Sequence, residues 1–519
     1  MALSSLNIKP FHVLMFVIWQ LGLIFSGQQI FPVFFNYAPK WKCQLDGLND
    51  EDDANLTDND SGMSNNSCSL TKSERCALYE KCQGNITFEP SPFYSLIQEF
   101  DLVCGHRSHF ATVASSCQFA GVIFGTFIFG HLGDRFGRRL TSIVGMSIGV
   151  FFACASGLSP TWLIFGVMRF IAGTTVGCVL VVVYMFVFEH ILPEQRMFLR
   201  CFFNWGTARI VISLICMMLP YWRWASIGTA LAAAPIIPLM LIFVPESPVW
   251  LESQQKQKKQ RIAANQIAVI SLDVEIAKDK CETKMGTVLE RQFSKMSVIE
   301  QLKVFKVRDL VAGRKMALKT GVICFMWFTA GMSTYISDLN IGNLGGDFYY
   351  NQLIIGTVIS LSKTLVFWLD TYVPGFSRRL LHQVSQSLVI VCFVAVMLIM
   401  IIVPAAQQCS GGGKTSLDLL IVALNITGVV FIEYTWDACY LCGAECFPTE
   451  MRTLGISCCS LMARVGAFLA PTVAHMADVW APAPFAAVSA IGLVSLTLSV
   501  LFLEETKPKT TTDATLVAE

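Results

Sequence analysis

Ionisable side chains are scarce in the long apolar stretches of this 519-residue chain, so the few present are the first candidates for chemistry. Lys363, Arg464 and Arg209 place cations within such stretches, and Glu433 and Asp437 place two carboxylates four residues apart, on one face of a helix. A charge at bilayer depth is costly unless it is paired or faces a water-filled cavity, so each marks either a site or a buried pair. A cation in a low-dielectric cavity gains most from a carboxylate or a sulfate. Two readings therefore stand for Lys363 and Arg464: contact with an anionic ligand, or, for Arg464, a buried structural pair with Glu433 or Asp437. The pairing reading is the better one for Arg209. Glu433 and Asp437 offer instead a place for a cation or a proton.

Aromatic side chains give a cavity an adaptable wall, supplying area, stacking and cation-π attraction without a fixed hydrogen-bond code. Candidates are Phe203 and Trp205, Trp327 and Tyr335, and Tyr434 and Trp436. Each is weighed against plain packing or a lipid-facing position, because aromatics are abundant throughout.

The elements that hold these residues are membrane spans. The chain is 54% hydrophobic and only 14% charged, with mean hydropathy +0.56, far more apolar than a soluble domain. About 20 apolar residues cross the hydrocarbon core. Twelve stretches qualify, at about 11–31, 108–130, 140–158, 162–188, 199–219, 223–244, 316–337, 348–369, 384–404, 417–441, 456–477 and 482–503. The first is followed by eleven more, so it reads as a retained helix and not a cleaved signal peptide, with both termini on one side. A net charge of +1 gives no basic face for nucleic acid.

Arg135, Arg138 and Arg139, then Arg196 and Arg200, then Arg378 and Arg379, then Arg452 fall in short connections on the amino-terminal side, which the positive-inside rule assigns to the cytoplasm. The basic 245–315 connection agrees, and the 504–519 tail follows on the same side. The 32–106 loop lies opposite and carries sequons at Asn55, Asn59, Asn65 and Asn85, as expected of an extracellular glycosylated loop at the plasma membrane. Cys43, Cys68, Cys76, Cys82 and Cys104 in that loop suggest a disulfide framework, with one thiol left over unless it meets another such as Cys409. His106 and His109 read as an interfacial pair.

Residues 1–244 and 316–503 each give six spans, as two parallel six-helix halves would. Echoes support the repeat: Glu189 precedes Arg196 by seven residues, and Glu445 precedes Arg452 by seven, each at the inner end of the fourth span of its half. Such carboxylates and arginines can latch neighbouring helices in one conformation. Gly130, His131, Leu132, Gly133, Asp134, Arg135, Phe136, Gly137, Arg138 and Arg139 resemble the G-x-L-x-D-R-x-G-R-R signature of the major facilitator superfamily. Glycines there permit a tight turn and close helix approach, and Asp134 can cap a helix or pair with an arginine. The counterpart Asp370 to Arg379 has Ser377 where a glycine is usual.

Further segments resemble the organic cation, anion and zwitterion transporters of solute carrier family 22 over nearly the whole chain. These are Glu99 to Cys104, Pro245 to Leu251 with Val249 for the usual arginine, Asn343 to Gly346, and Ala444 to Arg452; Leu503 to Lys507 departs from the family's P-E-T-K. The resemblance implies an all-α membrane protein of the major facilitator fold, twelve transmembrane helices in two pseudo-symmetric halves, moving small organic ions by alternating access. The family's anion carriers have a lysine in span eight and an arginine in span eleven, as here with Lys363 and Arg464, whereas its cation carriers have an aspartate in span eleven. Tyr335 and Trp436 fall where the family places aromatic substrate contacts, while Thr334 stands where a second tyrosine is common and Arg209 where no charge is usual.

The expected ligand is thus a small organic anion or zwitterion, with a counter-transported anion or proton and no cofactor or metal. A cation or carnitine-like carrier is the alternative, and a non-transporting surface receptor is the alternative of another class. No phosphate loop, metal-ligand cluster or nucleophile elbow suggests an enzyme.

Overall fold

The structure, a computed structural model, describes residues 8–38, 41–43, 63–64, 76–77, 79, 82, 86–88, 90–104, 107–192, 195–255, 307–311, 313–340, 347–372, 377–402, 416–447 and 452–503. Among the described residues, twelve helices are long and apolar enough to cross a membrane. In the first half they are α1 Pro10–Phe35, α2 Ser108–Phe136, α3 Arg138–Gly157, α4 Trp162–His190, α5 Phe198–Met218 and α6 Trp222–Phe243. In the second they are α7 Arg314–Asn340, α8 Phe348–Leu369, α9 Arg378–Ile402, α10 Leu419–Gly443, α11 Leu454–His475 and α12 Ala483–Phe502. The protein is an all-α membrane protein of two six-helix halves.

Each half has its own apolar core. Phe16, Phe25, Val176 and Ile236 anchor the first, and Trp327, Cys439, Cys459 and Ala463 the second. The opposite helix faces are apolar too, with Phe127, Phe151, Leu158, Ile242, Leu361 and Val391 exposed. Contiguous apolar surface of that extent belongs against lipid.

The face carrying the short arginine-rich turns is called here the basic face, and the opposite one the loop face. At the loop face a small sheet of order β2-β1-β3 pairs β1 Trp41–Cys43 antiparallel with β2 Met63–Ser64 and β3 Ile86–Phe88. Cys76 and Cys104 form a disulfide, and Cys82, packed with Trp41 and Tyr79, is also disulfide-bonded. The side chain of Cys43, and Cys68, Asn55, Asn59, Asn65 and Asn85, lie outside the described residues, as does most of the 245–315 connection. A short helix, Leu96–Glu99, is capped by Ser95 and Gln98. Its Glu99 receives Trp222 Nε1 at 2.6 Å and Arg223 Nε at 3.0 Å, fixing the loop to the start of α6.

The halves meet along α2 with α11 and α5 with α8. Gly206 of α5 lies so close to α8 that a Cβ there would stand 2.5 Å from the Gly356 carbonyl oxygen. At the loop face the rings of Phe34 and Phe348 are 5.2 Å apart, and the Tyr349 hydroxyl donates to the carbonyls of Pro92 and Cys216 at 3.0 and 3.1 Å. His106 lies outside the described residues, so the expected His106–His109 pair does too. His109 meets His475 of α11 across the seam, ring nitrogens 3.0 Å apart.

The turn between α2 and α3 is tighter than expected. Gly130, Gly133 and Asp134 are helical, because α2 runs six residues past the expected end, and the chain reverses at Gly137 with φ of 102°. A side chain there would be strained and would meet Glu246.

Candidate functional site

Between the halves lies a cavity of about 170 Å³. Its first-half wall comes from Trp19, Leu23 and Gln29 of α1, Leu180 and Tyr184 of α4, and Arg200, Phe203, Asn204 and Trp205 of α5. The second-half wall comes from Thr334 and Tyr335 of α7, Lys363 of α8, Glu433, Trp436, Asp437 and Tyr440 of α10, and Arg464 of α11.

Two helices lose regularity at this depth. α4 contains a π turn, Val179–Val183, beside the lining residues Leu180 and Tyr184. α5 is broken at Phe203 and Asn204, between the helical pieces Gln195–Phe202 and Trp205–Met218. The Asn204 side chain accepts the Thr207 backbone N–H at 3.2 Å to cap the second piece, and Trp19 Nε1 donates to the freed Phe203 carbonyl at 3.0 Å. Backbone interrupted inside a bilayer is tolerated where it lines a cavity, and π turns gather at functional positions.

The charges in the cavity are unevenly matched. Lys363 Nζ lies 3.2 Å from Glu433 Oε2 and 2.9 Å from Asp437 Oδ2, and also donates to the Glu433 carbonyl at 2.9 Å. Arg200 reaches Asp437 Oδ1 at 3.6 Å and lies over the Tyr440 ring, 4.3 Å from its centre. Arg464 is 7% exposed, makes no ion pair among the described residues, and its Nε has no hydrogen-bond partner. The expected alternative of an Arg464 pair with Glu433 or Asp437 is not what the structure shows, because Lys363 and Arg200 occupy both carboxylates. Three cations against two carboxylates leave one positive charge over.

The buried polar atoms of the lining that lack a partner are Arg464 Nε and Trp205 Nε1, and both are donors. Tyr335 donates to Gln29 Oε1 at 2.6 Å, and Trp436 Nε1 donates to Thr334 Oγ1 at 2.8 Å. Phe203, Trp205, Tyr335 and Trp436 therefore line the cavity as expected. Trp327 does not: it stands behind the wall, edge-on to Trp436 at 5.6 Å, with its Nε1 donating to the Cys439 carbonyl at 3.2 Å. Tyr434 is also off the lining, its hydroxyl donating to the Ser362 carbonyl at 3.1 Å. Arg209 forms a buried pair with Asp338.

Sequence reading missed Arg200, counted as a loop charge, the aromatics Trp19, Tyr184 and Tyr440, the amides Gln29 and Asn204, and Leu23 and Leu180. The four-residue spacing of Arg196 and Arg200 before Asn204 was the available signal for a helix there.

Among the described residues, the charged contacts shown at the turns of the basic face join groups of the same half. Arg138 Nη1 lies 2.7 Å from Asp134 Oδ1, and its Nε is 3.8 Å from Glu189. Glu246 Oε1 accepts the backbone N–H groups of Arg138 and Arg139, both at 2.9 Å, so it, and not Asp134, caps α3. Arg139 caps α6 by donating to the Leu241 carbonyl at 2.6 Å, and Arg379 does the same for α12 at Val500, 2.7 Å. Glu189 is partnered by Arg138 and Ser247 instead of Arg196, which lies over the Phe188 ring at 4.3 Å. In the second half Arg378 Nε lies 3.2 Å from Glu445, and Ser377 Oγ accepts the Leu380 N–H at 3.0 Å where the first half uses Gly137. Arg135 leans on Phe136, 5.3 Å from the ring centre. The Arg452 side chain is outside the described residues.

A family model described as sugar (and other) transporter matches residues 60–517. The chain belongs to that family, within the major facilitator superfamily. It is 41% identical to an uncharacterized Caenorhabditis elegans protein over 97% of this chain and 94% of that one. Solute carrier family 22 member 7 of Rattus norvegicus is 27% identical over 82% of this chain and 75% of its own. The organic cation transporter protein of Drosophila melanogaster is 27% identical over 79% and 71%. Among solved structures, the inward-open xylose transporter XylE from E. coli superposes with TM-score 0.57 at 14% identity, covering 97% of this chain and 98% of that one. A D-xylose-proton symporter gives 0.59 at 13% identity over 95% and 98%. The last two show the fold, and the protein is a multi-pass membrane transporter.

Proposed function

We propose that the protein carries small organic anions, or zwitterions through their anionic group, across the plasma membrane by alternating access. The observation that carries this reading is Arg464, a buried cation on the cavity wall whose charge no carboxylate among the described residues takes up. The second unpartnered donor, Trp205 Nε1, favours the same acceptor-rich ligand. Lys363 acts less as a direct contact than as the counter-charge that holds Glu433 and Asp437 out of competition for Arg464. Trp19, Tyr184, Trp436 and Tyr440 supply aromatic faces for the organic part of the substrate.

A basic face turned to the cytoplasm and a disulfide-bonded loop turned outward support both termini lying inside. The contacts at Phe348, Tyr349 and His475 close the loop face, so the state described is open to the inside or occluded. In that state the Asp134–Arg138–Glu189 and Arg378–Glu445 networks brace each half separately.

The test is uptake of radiolabelled anions, cations and carnitine by cells expressing the chain, with the membrane potential clamped at two values. Saturable anion uptake, blocked by excess anion, supports the reading. Uptake of cations alone, growing with inside-negative potential, would transfer the substrate to Glu433 and Asp437 and overturn it.

A further inference from the structure

Two oppositely charged side chains from different halves meet in the seam between the cavity and the loop face. Arg209 of α5 and Asp338 of α7 are each only 1% exposed. One guanidinium nitrogen donates to Asp338 Oδ1, and the other donates to Gln352 Oε1 of α8 at 3.3 Å. Asp338 stands nearly one turn beyond the lining residue Tyr335, toward the closed loop face, so the pair lies above the cavity and off its wall. Arg209 Nε, Asp338 Oδ2 and Gln352 Nε2 have no further partners.

We propose that Arg209 and Asp338 are a positioning pair, an inter-half latch that closes the loop face and must break and re-form in every transport cycle. This rests on the alternating-access reading above. Inside the seam their attraction is strong and the loss of hydration is comparably large, so the pair aligns the halves with little net holding energy. Once the loop face opens, water reaches both groups and pays back the hydration. An apolar contact in the same place would lack that reversibility, because opening would expose it to water. Charge thus makes this closure specific and readily undone.

Three variants separate a latch from a merely structural pair. Asp338→Asn leaves Arg209 as an uncompensated buried cation in the closed state only, and so shifts the protein toward the open loop face. Arg209→Met with Asp338→Leu buries no charge and shifts it the other way. The charge swap Arg209→Asp with Asp338→Arg restores the pair.

Cys216 reports the state. It is a free, fully buried thiol on α5 in the aromatic cluster that plugs the loop face. Intact cells expressing the full chain are treated with a membrane-impermeant maleimide and the modified site is mapped by mass spectrometry, with Cys216→Ser as control. Expected are labelling of Cys216 raised about tenfold or more in Asp338→Asn, reduced below wild type in the apolar double variant, and wild-type labelling in the swap. If Asp338→Asn fails to reach the surface, the other two variants decide. Wild-type labelling in the surface-expressed apolar double variant, or a swap no better than either single change, would overturn the latch. Because labelling needs no substrate, its failure is separable from failure of the anion reading.

Discussion

Lys363 Nζ lies 2.9 Å from Asp437 Oδ2. The same ammonium holds Glu433, so removing it leaves Glu433 a buried carboxylate with no cation, while Asp437 keeps Arg200. Lys363→Met is expected to lower anion uptake by more than about tenfold, since an uncompensated buried charge is strongly destabilising. Adding Glu433→Gln should recover a large part of that loss. Paired measurements of uptake, normalised to surface expression, check this; a double variant as poor as the single one would show that Lys363 touches substrate directly.

Arg464→Gln keeps a polar side chain and removes the charge. The expected result is a rise of roughly tenfold or more in KM for anions, the scale of one hydrogen bond to a charged group, with surface expression unchanged. An unaltered anion KM in surface-expressed protein removes Arg464 from the site.

Gly137 should tolerate no side chain. Its φ of 102° is unfavourable to other residues, and an added Cβ would run into a Glu246 carboxylate oxygen. Gly137→Ala and Glu246→Ala should both reduce surface expression and thermal stability, by about 1–3 kcal/mol each. Glu246→Gln keeps an acceptor for the Arg138 and Arg139 amides and should be milder. Thermal unfolding in detergent measures the order, and equal loss in Gln and Ala would mean that charge, not capping, matters.

Glu99 gives the loop face a pH dependence. Burial pushes its carboxyl up, but hydrogen bonds from Arg223, Trp222 and Tyr221, with the Arg223 charge, more than offset this and hold it below the usual range. A carboxyl lowered in the folded state stabilises above its unfolded value and loses that contribution as pH falls through the folded one. Glu99→Gln should therefore lower Tm at pH 7, and the gap from wild type should shrink below about pH 4. A gap of constant size across that range would assign the effect to packing.

The fold was legible because twelve apolar runs of bilayer length leave few other architectures. The turn signature between α2 and α3 was legible too, although its reversal sits on Gly137 alone while Gly130 and Gly133 stay helical. The cavity lining was legible where a charge interrupts an apolar run, as at Lys363 and Arg464. It was not legible where a residue acts through a distant partner. Arg200 looked like a topology-setting arginine, and only the meeting of α5 with α10 brings it to Asp437. Asp338, at the end of its span, drew no notice from sequence, yet it explains the unusual charge of Arg209. Trp327 failed as a lining residue because composition cannot tell the front of a wall from its back.

The break in α5 joins these observations. Arg200 grips the second half from the piece on the basic side, and Arg209 grips it from the piece on the loop side, with Phe203 and Asn204 between them. α5 is therefore a jointed rod with a clasp on each arm. Under the proposed alternating access, one clasp would open while the other stays fastened, and the helix would not have to carry the whole movement as a rigid lever.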